Sequence, residues 1–229
     1  MQTLRAAPPS AARWEACVRV LHAPTGCWRS WARQPRPKLQ PVLAQRRTSM
    51  NAILAASLST AFQPVIGHAI SIRPLRADDC EIEYRFIAGL SLETRNNRLL
   101  GGARPVTPEY AARLTRVNYP RELALAAVVM LDSQEILIGV ARYALEADGV
   151  GCEFALVVAD AWQGRGIGTH LLERLAGAAR ARAIPRISGY VLSTNATMLG
   201  FARKRGLRLQ RVPGDATLTL ATLDLALPN

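Results

Sequence analysis

A loop with glycine at every second position, Gln163-Gly164-Arg165-Gly166-Ile167-Gly168, lies between an apolar stretch and a segment with helical periodicity. Glycine lets the backbone adopt conformations that other residues avoid and lets it approach a ligand closely. The first turn of a helix presents unpaired N–H groups and the positive end of the helix dipole, which together favour an anion. Arg165 adds a full positive charge. The pattern therefore predicts a strand–loop–helix unit whose loop binds a phosphate; the alternative is a glycine-rich turn without a ligand.

Two better-known phosphate loops do not match this pattern. The spacing is Gly-x-Gly-x-Gly, so the third glycine of the dinucleotide-binding fingerprint is not at its usual place. The loop also lacks the Gly-Lys-Ser/Thr of the nucleoside triphosphate P-loop. Beyond the loop, apolar residues recur at the spacing of one helical face, which predicts an amphipathic helix packed on a core. These residues are Ile167, Leu171, Leu172, Leu175 and Ala179.

From residue 66 onward, segments with strand periodicity alternate with segments of helical periodicity. Asp132-Ser133 predicts a turn and Asp148-Gly149 a hairpin, so three consecutive strands should be antiparallel. Ser91 and Thr107-Pro108 are typical of helix N-termini. This order indicates an α/β (α+β) fold with a mixed, mostly antiparallel central sheet flanked by helices. The predicted elements are a strand at 66–72, three helices within 78–116, strands at 122–131, 136–146 and 150–158, a helix, a strand at 186–193, a helix at 195–205 and a strand at 216–227 with a bulge between Leu220 and Leu223.

Residues 1–65 differ from the rest, because they hold several prolines and no sustained helical or strand period. Much of the net charge of +12 lies here: residues 1–49 contain nine basic residues and one acid, whereas the remaining residues contain twenty and sixteen. The segment is predicted to be a disordered leader, or to precede a true start at Met50, and residues 66–229 to be the domain. A transit peptide and a basic arm that contacts nucleic acid or a membrane are the alternatives.

The cysteines and histidines indicate no metal site. The four cysteines are scattered without a CxxC pair, and the three histidines lack metal-ligand spacing. No run of eighteen apolar residues indicates a transmembrane helix or a membrane partner. Scattered cysteines in a chain of this length are typical of reduced thiols, so we expect the protein in the cytoplasm.

The glycine loop resembles the signature of the GNAT superfamily of N-acetyltransferases, Q/R-x-x-G-x-G/A, which opens a helix after the central antiparallel strands. Residues 163–168 fit it fully, and the resemblance covers about residues 68–226. It implies that acetyl-CoA is the co-substrate and that backbone N–H groups of the preceding strand hold the acyl carbonyl. The residues to which the resemblance assigns the cofactor are Leu156, Val157, Val158, Gln163, Gly164, Arg165, Gly166, Ile167, Gly168, Thr169 and Asn195.

Five further stretches resemble the GNAT domain of Pat-type bacterial protein lysine acetyltransferases. This closer likeness implies a protein lysine as the acceptor, with an acetyl-CoA synthetase among the candidate partners and a small amine as the alternative acceptor. The helices within 78–116 and the loop at 101–107 are expected to select the acceptor. The stretches are Ile72-Arg73-Pro74, Leu90-Ser91-Leu92-Glu93-Thr94-Arg95, Tyr119-Pro120-Arg121-Glu122, Cys152-Glu153-Phe154 and Met198-Leu199.

Glu153 is the candidate general base. It stands in an otherwise apolar strand, so burial should raise its pKa, and Pat-like proteins are similar in placing a glutamate here. The alternatives for Glu153 are a solvent-facing residue or an ion pair with an arginine, and Glu122 is the second candidate base. Cys152 could be a nucleophile, although a half-buried strand cysteine usually contributes packing. Many family members protonate the leaving thiolate with a tyrosine, and the matching position here is Ala202.

Three classes of function stay open at this point. The first is an enzyme that acetylates a primary amine. The second is a catalytically inactive domain that binds acyl-CoA as a sensor or scaffold. The third is a nucleic-acid binder that acts through residues 1–49, which is the least expected because the domain itself shows no interleaving of basic and aromatic residues.

Overall fold

The structure is a computed structural model, and it describes residues 58–62, 69–102, 105–146 and 149–225. Helices and strands alternate in the order predicted, with an additional short strand at each edge of the sheet. No helix within these residues is both long and apolar enough to span a membrane. The elements are β1 (Thr60–Phe62), β2 (Ile70–Pro74), α1 (Cys80–Gly89), α2 (Leu92–Arg98), α3 (Pro108–Leu114), β3 (Glu122–Leu131), β4 (Gln134–Leu145), β5 (Cys152–Val158), α4 (Ile167–Arg180), β6 (Arg186–Leu192), α5 (Ala196–Lys204), β7 (Arg208–Val212) and β8 (Asp215–Asp224).

The strands form one mixed sheet in the order β1-β2-β3-β4-β5-β6-β8-β7. Neighbouring strands are antiparallel except β5 and β6, which run parallel. The difference follows from the connections. Asp132 and Ser133 both have positive φ and turn the chain sharply between β3 and β4, whereas α4 carries the chain across from β5 to β6. The predicted fold class is confirmed.

Helices cover both faces of the sheet. On one face, α4 contributes its apolar stripe, Leu171, Leu175 and Ala179, to the larger core. On the other face, Phe86 and Leu90 pack beside Val140 in a second core. β3 lies between these two layers and is buried almost throughout, because successive side chains of a strand point to opposite faces.

Two helix starts show the capping that the sequence predicts. The Ser91 hydroxyl accepts a hydrogen bond from the Thr94 N–H, and the Thr107 hydroxyl accepts one from the Tyr110 N–H. Each bond satisfies an N–H group that the first helical turn leaves unpaired. Both helices are only seven residues long, so their position depends on packing more than on intrinsic stability.

The structure corrects three details of the sequence prediction. Strand β1 falls within the segment 1–65 that is predicted to be a leader, and it pairs with β2. Strand β7 was not predicted. The expected bulge between Leu220 and Leu223 is wrong, because β8 pairs with β6 without interruption there; β8 instead changes register against β7 at Arg211/Val212. Residues 1–57 and 63–65 of the predicted leader, residues 66–68 of the first predicted strand, the loop residues 103 and 104, and Asp148 lie outside the described residues.

Candidate active site

Strands β5 and β6 touch at one end and then separate. Among the described residues they pair only at Cys152 with Ile187 and at Glu153 with Ser188, while β5 stays paired with β4 as far as Val158. Gly189 lies against β5 where the strands part: a Cβ atom there would stand 2.8 Å from the Phe154 carbonyl oxygen. Beyond Glu153, one backbone edge of β5 therefore borders a cleft and not a neighbouring strand.

The cleft contains a cavity of about 570 Å³. Its walls come from β5, the glycine loop, the first turn of α4, both ends of α5, β6 and the helix α2. Every residue predicted to form the site lines this cavity except Arg165. Those that do are Glu153, Leu156, Val157, Val158, Gln163, Gly164, Gly166, Ile167, Gly168, Thr169 and Asn195.

The glycine loop has the backbone conformation that its sequence predicts. Gly164 and Gly166 have φ values of +73° and +83°, which other residues adopt only with strain. Gly166 is the N-cap residue of α4 and offers no side chain to cap the first turn. Ile167 is fully buried and fixes the start of the helix against the core. The N–H groups of the first turn therefore face the cleft without a side-chain cap, as an anion site requires.

Arg165 lies elsewhere. Its guanidinium stacks over the Trp162 ring, 5.2 Å from the ring centroid. Sequence reasoning placed its charge at the ligand; in the structure the guanidinium stacks on Trp162, which lines the cavity, whereas Arg165 itself does not line it. The positive side chains that do line the cavity are Arg98, Lys204 and Arg205, none of which was predicted.

A hydrogen-bonded latch joins α2 to the end of β5. The Asp160 carboxylate accepts hydrogen bonds from the Ser91 N–H, the Ser91 hydroxyl and the Thr94 hydroxyl, at 2.9, 2.7 and 2.6 Å. Although burial opposes the shift, these bonds lower the pKa of Asp160. Gln163 adds a bond from its side-chain amide to the Val158 carbonyl oxygen at 3.1 Å. The latch fixes α2 beside the cleft, and local sequence patterns carry no signal for it.

Glu153 reaches the cleft from the face of β5 that α2 covers. It alternates with Cys152 and Phe154, which point into the opposite core. Burial raises the pKa of Glu153 to about 7, the Arg98 guanidinium lowers it, and the Glu146 carboxylate adds a further increase. A carboxylate in this state can accept a proton near neutral pH.

The other candidate residues are not placed for catalysis. Cys152 is fully buried, and burial raises the pKa of its thiol to about 12, so it remains protonated. Glu122 begins β3, accepts a hydrogen bond from the Asn118 N–H and does not line the cavity. Ala202 is fully buried in α5 and brings no proton donor to the cleft. Asn195 lines the cavity while its side chain caps α5 by accepting from the Met198 N–H.

The described residues contain no group of three or more histidine, cysteine or acidic side chains that could hold a metal ion. The geometry combines a glycine loop suited to an anion with a strand that has an open backbone edge and a half-buried carboxylate. Residues 93–207 match the acetyltransferase (GNAT) family. The chain belongs to this family.

Known acetyltransferases are similar to this chain in sequence or in fold. Acetyltransferase PA5475 of Pseudomonas aeruginosa is 31% identical over 186 residues, which cover 77% of this chain and all of that protein. The GNAT domain of S. lividans PAT is 26% identical with a TM-score of 0.66, covering 74% of this chain and 98% of that domain. The ribosomal-protein-S5-alanine acetyltransferase of Vibrio fischeri, at 14% identity and a TM-score of 0.56, covers 72% of this chain and 96% of that one; it shares the fold.

The site fits acetyl-CoA, which GNAT acetyltransferases generally use as their co-substrate. The positive-φ glycines and the uncapped turn suit a pyrophosphate. The open edge of β5 offers backbone hydrogen bonds along a narrow cleft, and Lys204 and Arg205 supply positive charge at its α5 side. The protein is therefore a GNAT-family N-acetyltransferase whose acyl donor would lie between β5 and β6.

Proposed function

We propose that this enzyme transfers the acetyl group of acetyl-CoA to a primary amine, a protein lysine, with Glu153 as the general base. The observation that carries the proposal is the Glu153 carboxylate, which lines the cleft and has its pKa raised to about 7. An unperturbed lysine has a pKa of about 10.4, so its amine needs a base before it can attack. The likeness to the S. lividans PAT domain supports a protein lysine over a small amine.

Each part of the site has a distinct task in this proposal. Acetyl-CoA supplies an activated thioester, and its acyl carbon forms a new bond to the amine nitrogen as the bond to sulfur breaks. The N–H groups of the loop, from Gly164 to Gly168, bind the pyrophosphate. Backbone groups of Leu156, Val157 and Val158 orient the acyl carbonyl and stabilise the charge that develops on its oxygen. Glu153 accepts the proton that the amine loses.

The decisive experiment measures thiol release from acetyl-CoA by the full-length chain. The acceptors are a panel of lysine-containing proteins that includes an acetyl-CoA synthetase, and a set of small amines. Glu153→Gln should lower acceptor-dependent release about tenfold or more, because it removes the base while keeping the side-chain shape. Glu122→Gln is the matched control and should leave the rate unchanged, since that glutamate does not line the cavity.

The pH dependence adds a second check on the base. Only the deprotonated Glu153 can accept a proton, so kcat/KM should rise with pH through about 7 in the wild type and lose that step in Glu153→Gln. Release from small amines alone would contradict the protein-lysine assignment. Binding of acetyl-CoA without turnover on any acceptor would favour a sensor or scaffold, for which Ala202 in place of a proton donor is the supporting observation.

A further inference from the structure

The helix α2 forms part of the wall of the active-site cleft, yet core packing does little to hold it there. It packs against β5, and several of its residues line the same cavity as Glu153. None of its seven residues is buried, and Leu92 is 68% exposed. A helix this short is unstable by itself and depends on tertiary contacts for its position. Contacts other than apolar burial therefore fix α2 beside the cleft.

The latch supplies such contacts through the carboxylate of Asp160. Its Oδ1 atom accepts hydrogen bonds from the hydroxyls of Ser91 and Thr94 at 2.7 and 2.6 Å, and its Oδ2 atom accepts one from the Ser91 N–H at 2.9 Å. Hydrogen bonds to an ionised acceptor are stronger than those between neutral groups. The Ser91 hydroxyl also accepts from the Thr94 N–H at 3.1 Å. Asp160 thus ties the first turn of α2 to the end of the strand that carries Glu153.

The glycine loop meets the latch but has anchors of its own. The Nε2 atom of Gln163 lies 3.4 Å from the Thr94 hydroxyl, a long hydrogen bond, and it donates to the Val158 carbonyl oxygen at 3.1 Å. Ile167 is fully buried at the other end of the loop. A change in the latch should therefore displace α2 while the loop that suits the pyrophosphate stays in place.

The position of α2 matters for the second substrate. Glu153 points to the face of β5 that α2 covers, because Cys152 and Phe154 on either side of it belong to the opposite core. An amine that gives its proton to this carboxylate has to enter the space that α2 borders. The acyl donor, in contrast, depends on the glycine loop and the open edge of β5.

We propose that Asp160 is a positioning residue for the acceptor: its latch holds α2 where the acceptor amine can reach Glu153. This inference rests on the proposed function and names a residue that controls access to that site. The oxygens of the Asp160 carboxylate are engaged by Ser91 and Thr94, so Asp160 acts through α2 and not on the substrate.

The first test is steady-state kinetics of the full-length protein with acetyl-CoA and an acceptor that supports thiol release. Asp160→Asn should raise the KM for the acceptor about tenfold, because an amide has one acceptor oxygen where the carboxylate has two. The kcat and the Kd of acetyl-CoA should stay within about twofold of the wild-type values, since Glu153 and the glycine loop are unchanged.

Two changes at Thr94 separate the latch from the carboxylate itself. Thr94→Val keeps the shape of the side chain but removes one hydrogen bond to Asp160, and it should raise the KM for the acceptor about threefold. Thr94→Ser keeps the hydroxyl and should restore the wild-type KM. Asp215→Asn is the matched control, because the Asp215 carboxylate accepts from the Thr217 N–H and hydroxyl but does not line the cavity.

Hydrogen exchange of the unliganded protein reports on α2 directly. The Arg95 N–H donates to the Ser91 carbonyl oxygen and the Leu99 N–H to the Arg95 carbonyl oxygen, so both amides are protected while the helix is in place. Asp160→Asn should speed the exchange of these amides about tenfold and leave those of α4 unchanged. Asp215→Asn should change neither set.

Three results would overturn the proposal. One is unchanged exchange of α2 in Asp160→Asn, and another is faster exchange with an unchanged KM for the acceptor. The third is a higher KM in Asp160→Asn but not in Thr94→Val, which would mean that the carboxylate contacts the acceptor itself. An equal rise in the Kd of acetyl-CoA would also contradict it, because the latch would then support the whole cleft. Asp160 is exposed and Thr94 is not fully buried, so both variants should fold.

Glu153→Gln separates this inference from the proposed function, since it should slow the transfer without changing the exchange of α2. If Glu153→Gln retains the wild-type rate while Asp160→Asn still raises the KM for the acceptor, the assignment of the base fails and the role of Asp160 stands. If no acceptor is acetylated, the proposed function fails, and the exchange of α2 alone decides whether Asp160 positions that helix.

Discussion

Two clusters of arginine and carboxylate, each built around a buried ion pair, lie on the α1 side of the sheet, and they are built differently. In the tight cluster, Arg73 donates from Nη1 and Nη2 to both oxygens of Asp79 at 2.7 and 2.8 Å, and from Nε to Glu135 at 3.0 Å. In the loose cluster, which consists of Glu83, Arg142 and Arg98, the one direct bond between Glu83 and Arg142 is 3.4 Å long. Arg73 also donates from Nη2 to the second oxygen of Glu135, so the first cluster consists of two bidentate pairs. In the second, the Glu83 Oε2 and Arg142 Nε atoms have no hydrogen-bond partner among the described residues.

The two clusters lie in different places: one holds distant parts of the fold together, and the other borders the active-site cavity. The tight cluster ties β2 to the turn before α1 and to the start of β4, and its residues do not line the catalytic cavity. The loose cluster borders that cavity through Arg98. A fully bonded ionic network rigidifies a fold, while an incompletely bonded one retains charge that can act on a neighbour. The two clusters should therefore respond differently to the same kind of substitution.

The largest expected effect is on the tight cluster. Arg73→Met should lower the free energy of unfolding by about 3 to 5 kcal/mol, because it leaves Asp79 buried without its partner. Urea denaturation measures the loss, and the kcat/KM of the folded fraction should stay close to the wild-type value. Arg85→Met removes an exposed guanidinium from α1 and is the matched control. Equal losses of unfolding free energy in the two variants would mean that the buried network stabilises the fold no more than an exposed charge does.

The next largest effect is on the pH dependence of the free energy of unfolding, which should have opposite signs for Asp79 and Glu83. Despite the opposing effect of burial, the hydrogen bonds from Arg73 lower the pKa of Asp79. Its contribution is therefore complete above the unfolded pKa of about 3.9 and is lost as the pH falls below that value. The pKa of Glu83 is raised by burial, so the folded state holds its proton more tightly and stability falls as the pH rises above about 4.3.

Denaturation between pH 2 and 8 checks these signs, with a limiting slope of about 1.4 kcal/mol per pH unit for each group. The stability difference between the wild type and Asp79→Asn should grow as the pH rises from 2 to about 4 and then level off. The difference between the wild type and Glu83→Gln should shrink as the pH rises above about 4, because glutamine has no proton to lose. Dependences of the same sign in both variants would contradict the distinction between the clusters.

The sequence predicts the parts of the molecule that depend on local patterns. The glycine loop, the apolar stripe of α4 and the caps at Ser91 and Thr107 each depend on residues within a few positions of one another. Such features follow from backbone preference and helical period, so they can be derived without knowledge of the fold. The pKa rise at Glu153 could be predicted for the same reason, because its apolar strand neighbours imply burial.

The remainder depends on contacts between distant segments. Glu83 and Arg142 are 59 positions apart, and Ser91 and Asp160 are 69 apart, so no periodicity links them. Arg98 stands on a short helix whose orientation is set by packing and by that latch, which is why its place in the cavity wall was missed. Strand β1 is only three residues long, too short for alternation to distinguish it from a loop. Strand β7, at Arg208–Val212, is mostly exposed and does not alternate strictly between polar and apolar residues.

The smallest expected effect comes from a solvent-exposed ion pair of the same chemical type. Glu81 and Arg85 lie four residues apart on α1, with the acid on the N-terminal side, and their side chains are 65% and 64% exposed. A double-mutant cycle with Glu81→Gln and Arg85→Met should give a coupling of about 0.3 to 0.5 kcal/mol, which falls toward zero in 1 M salt as the charges are screened. A coupling as large as that between Arg73 and Asp79 would show that burial is not what distinguishes the tight cluster. A small coupling places the difference in desolvation and geometry, since the charges are alike and both pairs involve residues of α1 or of the turn before it.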